Sequence, residues 1–342
     1  MLVVSFAMAN GVTASGTVPT LKSTTDTLGY QQPKRQRTTK QTNKQKEQTM
    51  NKATTNTISE INKRRELIKS GSDAPKMREQ CKMPASDAVF WQAALILEGR
   101  RGIITRSQTK LDKAQGESIG YVNRGLTLSS AREAREWMGH GFTACPFATV
   151  SCAFACVGSQ TGQGALPSSK IARIGRTLAL HVDTERFNAL LDVEIESERG
   201  RAAVFGFRLA FRFNVASDHW KLADDCAGRH PLVTFYDYTA IPDAMGSDSR
   251  VHRVYSRKDG KFSASKAVEM ANSGRGVSVV FSTKKGEPLP DTWEGVPVID
   301  GDVNDLWFLR APAVGAFVVG LRIKGTRAQM SQGIESGFAI AA

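Results

Sequence analysis

Long hydrophobic runs are missing from this sequence. No stretch approaches the roughly 18 consecutive apolar residues that a membrane-spanning helix requires, so an integral membrane protein is excluded. The apolar opening, MLVVSFAMANGVTASG, has no basic residue before it, whereas a secretory signal begins with a positively charged segment. We therefore expect a cytoplasmic protein.

Cysteine is scarce, and its distribution is uneven. The chain of 342 residues has only five cysteines, too few for a disulfide-stapled secreted domain. Three of them, Cys145, Cys152 and Cys156, fall within twelve residues in the run CPFATVSCAFAC. In a reducing compartment, thiols at such close spacing indicate a metal site more often than a disulfide.

Acidic residues are few near the start of the chain. Residues 31–80 have 13 Lys/Arg against 5 Asp/Glu, which supplies +8 of the net charge of +13. Residues 11–57 are polar and have almost no periodic apolar positions, so we expect a disordered basic tail over residues 1–57. Residues 1–49 are also open to interpretation as an upstream extension, with translation beginning at Met50. The tail suits either nucleic-acid binding or a solvated surface, and its lack of interleaved aromatic residues favours the latter.

The remainder of the chain alternates between strand and helix patterns. Short strands are predicted at 205–214, 233–238, 251–256, 277–281, 296–299 and 314–323. Helices are predicted at 59–68, 86–97, 167–180, 184–198, 219–227 and 263–273, with a further short helix capped by Ser129 or Ser130. Repetition of this kind predicts an α/β fold with a mainly parallel sheet, barrel-like or forming a partial (β/α) barrel.

Several motifs in one order resemble a known family. They are GLTLSSA, CPFATVSCAFAC, RFNVASDHW, FYDYTA, VIDGDVNDLWFL and VGLRIKG, and they run from about Gly125 to the C-terminus. This part of the chain resembles the bacteriophage family called gene product 88-like. Two positions depart from the family pattern: Ala240 stands where a lysine is expected, and Trp307 where a basic residue is usual. The resemblance implies a phage or prophage origin and the cytoplasm of a bacterial host, and it supplies no reaction.

The three clustered cysteines predict a soft-metal site. Three thiolates suit a [4Fe–4S] cluster with one open iron, or a zinc ion completed by a fourth ligand. We favour the cluster. The spacing, Cys-x6-Cys-x3-Cys, differs from the Cys-x3-Cys-x2-Cys of radical S-adenosylmethionine enzymes, so use of that cofactor is an analogy only. Cys226 is the favoured fourth ligand; the other candidates are His140, His181 and His219.

Acidic side chains and one lysine follow the predicted strands. In parallel α/β folds, catalytic groups collect at the carboxyl ends of strands. Asp218, Asp237, Asp302 and Lys324 are therefore the candidate catalytic residues. An aspartate after a strand also begins turns and caps helices, and that interpretation is somewhat better for each acid taken singly.

These observations predict three regions: a tail at 1–57, a helical lead-in at 58–124, and an α/β domain with the cysteine loop at 125–342. The function we expect is that of a phage iron–sulfur enzyme acting on a nucleotide or nucleic acid, since the folded part is basic. The alternative is a zinc-stabilised protein that binds nucleic acid or a host factor without catalysis.

Overall fold

A computed structural model of the chain describes residues 87–106, 109–113, 115–139, 143–160, 162–246 and 250–342. All of them belong to one compact unit. The predicted tail, the alternative start at Met50 and the helix predicted at 59–68 lie outside these residues.

Within the described residues, nine strands form one sheet. They are β1 (Tyr121–Gly125), β2 (Arg208–Arg212), β3 (Thr234–Thr239), β4 (Val251–Ser256), β5 (Val277–Phe281), β6 (Thr292–Trp293), β7 (Val296–Asp300), β8 (Val318–Arg322) and β9 (Ala339–Ile340). The order across the sheet is β1-β2-β3-β4-β5-β8-β7-β6, and β9 pairs with the end of β5. All pairs are parallel except β6 with β7. The mainly parallel α/β sheet is confirmed, and it is open rather than closed into a barrel.

The helices connect and cover these strands. They are α1 (Asp87–Leu97), α2 (Thr109–Asp112), α3 (Ala131–Met138), α4 (Val150–Phe154), α5 (Val157–Gln160), α6 (Pro167–Val182), α7 (Thr184–Val204), α8 (Trp220–Arg229), α9 (Pro242–Gly246), α10 (Lys261–Asn272) and α11 (Arg327–Glu335). Two 3₁₀ turns lie at Gly162–Ala165 and Trp307–Leu309. No helix in the described part of the chain is long and apolar enough to cross a membrane.

Local sequence explains where several elements begin. Ser130 accepts a hydrogen bond from the backbone of Glu133, whose side chain bonds back to Ser130, so a capping box begins α3. Pro167 begins α6, where its missing N–H is not needed. The β6–β7 hairpin turns through Glu294 and Gly295, which both have positive φ, as a two-residue type I′ turn requires.

Two apolar layers enclose the sheet. Successive side chains of a strand point to opposite faces. Leu209 and Phe211 of β2 therefore join the core formed by α1, α6 and α7, while Ala210 packs on the other side with Leu306. The second face is covered mainly by the connection between β7 and β8, where Trp307 packs against Tyr238 and Phe317.

Candidate functional site

The three clustered cysteines lie on one loop with two short helices. Thr149 caps α4 by accepting a hydrogen bond from the backbone N–H of Cys152 at 3.2 Å. Cys145 precedes this turn, and Cys156 lies between α4 and α5. All three side chains are partly buried. The residues from 143 to 160, called here the cysteine loop, thus hold the three thiols on a short folded segment.

The cysteine loop is anchored at the carboxyl ends of the parallel strands. After β2, the backbone N–H of Asp218 donates to the carbonyl of Ala144 at 2.7 Å. After β4, Asp259 accepts a hydrogen bond from Thr149 Oγ1. After β8, Gln329 Nε2 donates to the carbonyl of Phe154 at 3.3 Å. Three strand ends therefore fix the loop over the edge where parallel sheets collect their functional groups.

A lysine contacts the thiols directly. Lys258, two residues after β4, donates from Nζ to Cys152 Sγ at 3.1 Å. Burial alone would lower the pKa of Lys258. The negative charges that Cys152, Cys145 and Asp218 have when ionised act in the opposite direction and raise this pKa above its usual range. The side chain therefore stays an ammonium ion, and it places a fixed positive charge against the cysteine loop.

Two of the thiols, Cys145 and Cys156, are poor free nucleophiles. Burial raises the pKa of Cys145 well above its usual value, although Lys258 acts in the opposite direction. Burial also raises the pKa of Cys156, against a hydrogen bond with Ser159. A reactive cysteine needs a lowered pKa. This environment suits thiols that ionise when a metal replaces their protons.

Two of the predicted acids lie beneath this loop in a buried network. Asp218 accepts hydrogen bonds from Thr239 Oγ1 and the Ala240 N–H, each at 2.8 Å. Asp237 accepts from Asn214 Nδ2 and from the Tyr238 N–H. Burial raises the pKa of Asp218. Burial and the nearby charge of Asp218 raise the pKa of Asp237 to about 7, so the two acids share one electrostatic environment.

The other two predicted catalytic residues pair with each other instead. Lys324, which follows β8, donates to Asp302 Oδ1. Asp302 Oδ2 accepts from the backbone N–H of Arg322 at 3.0 Å. These ionic contacts lower the pKa of Asp302 although burial acts against them. Their described partners all lie at the ends of β7 and β8, so the structure brings these residues to the expected edge but does not join them to the cysteine loop.

Cys226 lies in a different cluster from the other three cysteines. It is buried on α8, with its Sγ 3.8 Å from Asp192 Oδ1 on α7. Asp192, Cys226 and His230 could hold a metal ion, because their ligand atoms all lie within 4.8 Å of one another. The structure therefore does not place Cys226 as a fourth ligand of the cysteine loop.

Among the described residues, no other group of three His, Cys, Asp or Glu side chains has its ligand atoms all within 4.8 Å of one another. A single zinc ion with bonds of about 2.3 Å to sulfur holds its sulfur ligands about 3.8 Å apart. The three sulfur atoms of the cysteine loop are therefore not all close enough together to surround a single zinc ion.

A comparison with protein families identifies the chain. The family model described as Gene product 88 matches residues 102–341. The chain belongs to the Gene product 88 family. The predicted resemblance to this bacteriophage family is thus confirmed, and the match begins before the predicted start at Gly125. No curated protein and no solved structure matches the chain.

The Gene product 88 match includes a segment that completes the first strand. Thr105 forms an antiparallel bridge with Gly125, and its Oγ1 lies 2.8 Å from Thr127 Oγ1. The matched segment before Gly125 therefore contacts the first strand of the sheet in this chain.

Two site residues escaped the sequence analysis. In the sequence, Lys258 is only the second residue of the basic pair Arg257-Lys258 after a predicted strand. Its partner Cys152 is 106 residues away in the chain. His230 lies four residues after Cys226 but beyond the helix predicted at 219–227, so only the observed helix, which His230 caps, brings the two side chains to one side. Of the earlier candidate histidines, His219 caps α8 by accepting from the Leu222 N–H at 3.4 Å. His140 lies outside the described residues.

Proposed function

We propose that this member of the Gene product 88 family is an iron–sulfur enzyme. Cys145, Cys152 and Cys156 bind a [4Fe–4S] cluster and leave one iron open to a substrate. The observation that carries the proposal is the contact between Lys258 Nζ and Cys152 Sγ at 3.1 Å, on a loop anchored to three strand ends. A partly buried ammonium ion offsets the negative charge that several thiolates and sulfides bring to one place.

The spacing of the thiols supports a cluster over a single zinc ion. Cysteines of a [4Fe–4S] cluster each bind a different iron, so their sulfurs lie farther apart than those around one ion. The thiols of the cysteine loop are absent from the close groups of described residues. Zinc coordination would require the loop to contract.

The substrate we propose is a nucleotide or a nucleic acid. Phe147 lies in the cysteine loop two residues after Cys145, and 45% of its surface is exposed. An exposed aromatic ring beside a basic site can stack a base. Asp218 lies closest to the cysteine loop among the candidate acids and is the candidate for proton transfer there.

Anaerobic purification tests the cluster. The wild-type protein should be coloured, with a broad visible absorbance and about four irons per chain. Cys145→Ser, Cys152→Ser and Cys156→Ser should each lose most of the iron. Cys226→Ser is the matched control and should keep it, because Cys226 lies in a separate cluster.

Lys258→Met provides a second arm of the same experiment. It keeps a long apolar stem and removes the charge, so we expect a folded protein whose cluster is lost faster in air. Colourless wild-type protein without iron would overturn the proposal, and zinc that the three loop variants lose but Cys226→Ser keeps would favour a zinc-stabilised binding protein. Equal iron in the wild type and in all three loop variants would overturn the ligand assignment.

A further inference from the structure

A second group of soft ligands lies between α7 and α8, away from the cysteine loop. Asp192 comes from α7, Cys226 from α8, and His230 from the residue that ends α8. Cys226 and His230 are four residues apart, which places them on one side of the helix. Each of the three is at most 2% exposed, so the cluster lies in the interior of the protein.

Contacts at both ring nitrogens fix the orientation of the His230 side chain. Its Nε2 lies 2.7 Å from Asp192 Oδ1, and its Nδ1 lies 2.8 Å from Glu196 Oε1. A histidine that ligates a metal almost always gives its other ring nitrogen to a carboxylate or carbonyl, which fixes the ring and its tautomer. Glu196 occupies that outer position, one helical turn after Asp192.

We propose that Asp192, Cys226 and His230 bind one divalent ion of the zinc type. Aspartate oxygen, thiolate sulfur and imidazole nitrogen are all ligands that Zn²⁺ accepts in tetrahedral sites. The fourth position is filled by water. This site is independent of the proposed cluster, with which it shares no residue.

The exchange of protons for the ion balances. The contacts of His230 with two carboxylates require a proton on each ring nitrogen, and Cys226 has a thiol proton. Binding of Zn²⁺ releases two protons, one from His230 Nε2 and one from Cys226 Sγ, so the charge of the buried cluster is unchanged. Arg229 donates to both oxygens of Asp192, with Nε 2.9 Å from Oδ2 and Nη2 3.0 Å from Oδ1. Coordination of the ion by Oδ1 replaces the second of these hydrogen bonds and keeps the first.

The test uses a variant in which the cysteine loop is silent. In C145S/C152S/C156S, treated with a chelator, we titrate Co²⁺ and Zn²⁺. One equivalent of Co²⁺ should bind and give a thiolate-to-cobalt absorption band. Adding C226S should abolish that band. Adding E196Q should weaken binding by about 10–100-fold, as expected for an outer-shell partner, while the band remains.

The outcomes are separable from those of the iron experiment, which is read in the wild type. A stoichiometric site that C226S removes supports the proposal, as does a rise in the thermal midpoint with Zn²⁺. Absence of stoichiometric binding, or binding that C226S leaves unchanged, overturns it. If the triple variant does not fold, the zinc content of the wild type against C226S decides in the same two directions.

Discussion

Glu133 is a fully buried carboxylate held by one buried arginine. Arg173 Nε and Nη2 both bond to it, the first at 3.0 Å, and the two side chains are 0% and 4% exposed. Glu133 also serves the capping box of α3. Burying a charge is costly unless it is paired and hydrogen-bonded, so each residue depends on the other.

Removal of Arg173 should therefore be severe. We expect Arg173→Met to lower the free energy of unfolding by about 3–5 kcal/mol, because it leaves Glu133 charged and unpaired. Arg132→Met is the control: its pair with Glu136 is about 40% exposed on both sides and should matter by less than about 1 kcal/mol. Urea denaturation compares the two. Equal losses of unfolding free energy in the two variants would show that the buried pair of Arg173 and Glu133 does not account for the effect of Arg173→Met.

Asp237 gives a prediction about pH. Burial, with the charge of Asp218, raises its pKa to about 7 from an ordinary 3.8. Between these values the folded state binds more protons than the unfolded state, so stability falls as pH rises from about 4 to 7. The full effect is about 4 kcal/mol.

Asp237→Asn should remove that dependence. The difference in unfolding free energy between the variant and the wild type should change by up to about 4 kcal/mol in favour of the variant from pH 4 to pH 8. Denaturant melts at four or five pH values measure it. A constant difference across this range would mean that Asp237 is ionised in the folded protein throughout.

At the scale of elements, the tightest contact joins α1 to α6. A Cβ atom on Gly175 of α6 would lie 2.3 Å from Gln92 Cγ and 2.7 Å from Gln92 Cβ on α1. Both atoms are near the backbone of Gln92, so the side chain cannot move aside. The glycine is what allows these two helices to approach.

Alanine at this position should separate the helices. We expect Gly175→Ala to destabilise the protein by about 1–3 kcal/mol through overpacking. In Gly200→Ala on α7, a Cβ meets nothing within 4 Å, and the change should stabilise by roughly 0.5–1 kcal/mol because alanine favours the helix. Thermal melts of both variants check the opposite signs. Two changes of the same sign would contradict the packing argument.

The elements that sequence predicts best are those whose pattern is local. β4 and β5 were predicted at the bounds that the structure has. In β5, with the sequence VSVVF, a run rich in β-branched residues identifies a buried strand, and β4 is a short segment with Val and Tyr. β1 was missed. Its sequence, YVNRG, mixes apolar and polar residues and has no strand pattern. The buried side chain of Asn123 is satisfied by a hydrogen bond from its Nδ2 to the Tyr236 hydroxyl at 2.8 Å, which the sequence does not reveal.

The same limit applies to the candidate site. The cysteines were found because their spacing is local, and the strand-end acids because parallel sheets place such residues on one edge. The contact of Lys258 with Cys152 joins the segment after β4 to α4, and the separation of Cys226 from the other thiols depends on how α8 packs against α7. Contacts across a hundred residues of chain leave no periodic signal, so the sequence predicted the members of the site better than their partners.

For the whole molecule, charge is the property that bears on a partner. With a net charge of +13, we expect single-stranded DNA to bind at low salt, with affinity falling linearly on logarithmic axes as salt rises. Base stacking adds about 1–3 kcal/mol per base and releases few ions. The two contributions can therefore be separated by one titration series.

Phe147→Ala should weaken this binding by roughly 5- to 150-fold at every salt concentration and leave the salt slope unchanged. Phe205→Ala is the control, since Phe205 is also exposed but precedes β2, at the opposite edge of the sheet. Fluorescence anisotropy at several ionic strengths provides the data. Equal affinities for both variants and the wild type would exclude stacking by Phe147, and no retention at low salt would exclude nucleic acid as a partner.

The two outer strands of the sheet have a consequence for assembly. β6 is only two residues long and ends in a tight hairpin, while β1 is bridged on its outer side by Thr105 and Gly116. A long unpaired strand edge is a template on which another chain can extend a sheet or begin a fibril. With one edge short and the other bridged, a second chain gains little by adding a strand, and a binding partner must be recognised through side chains.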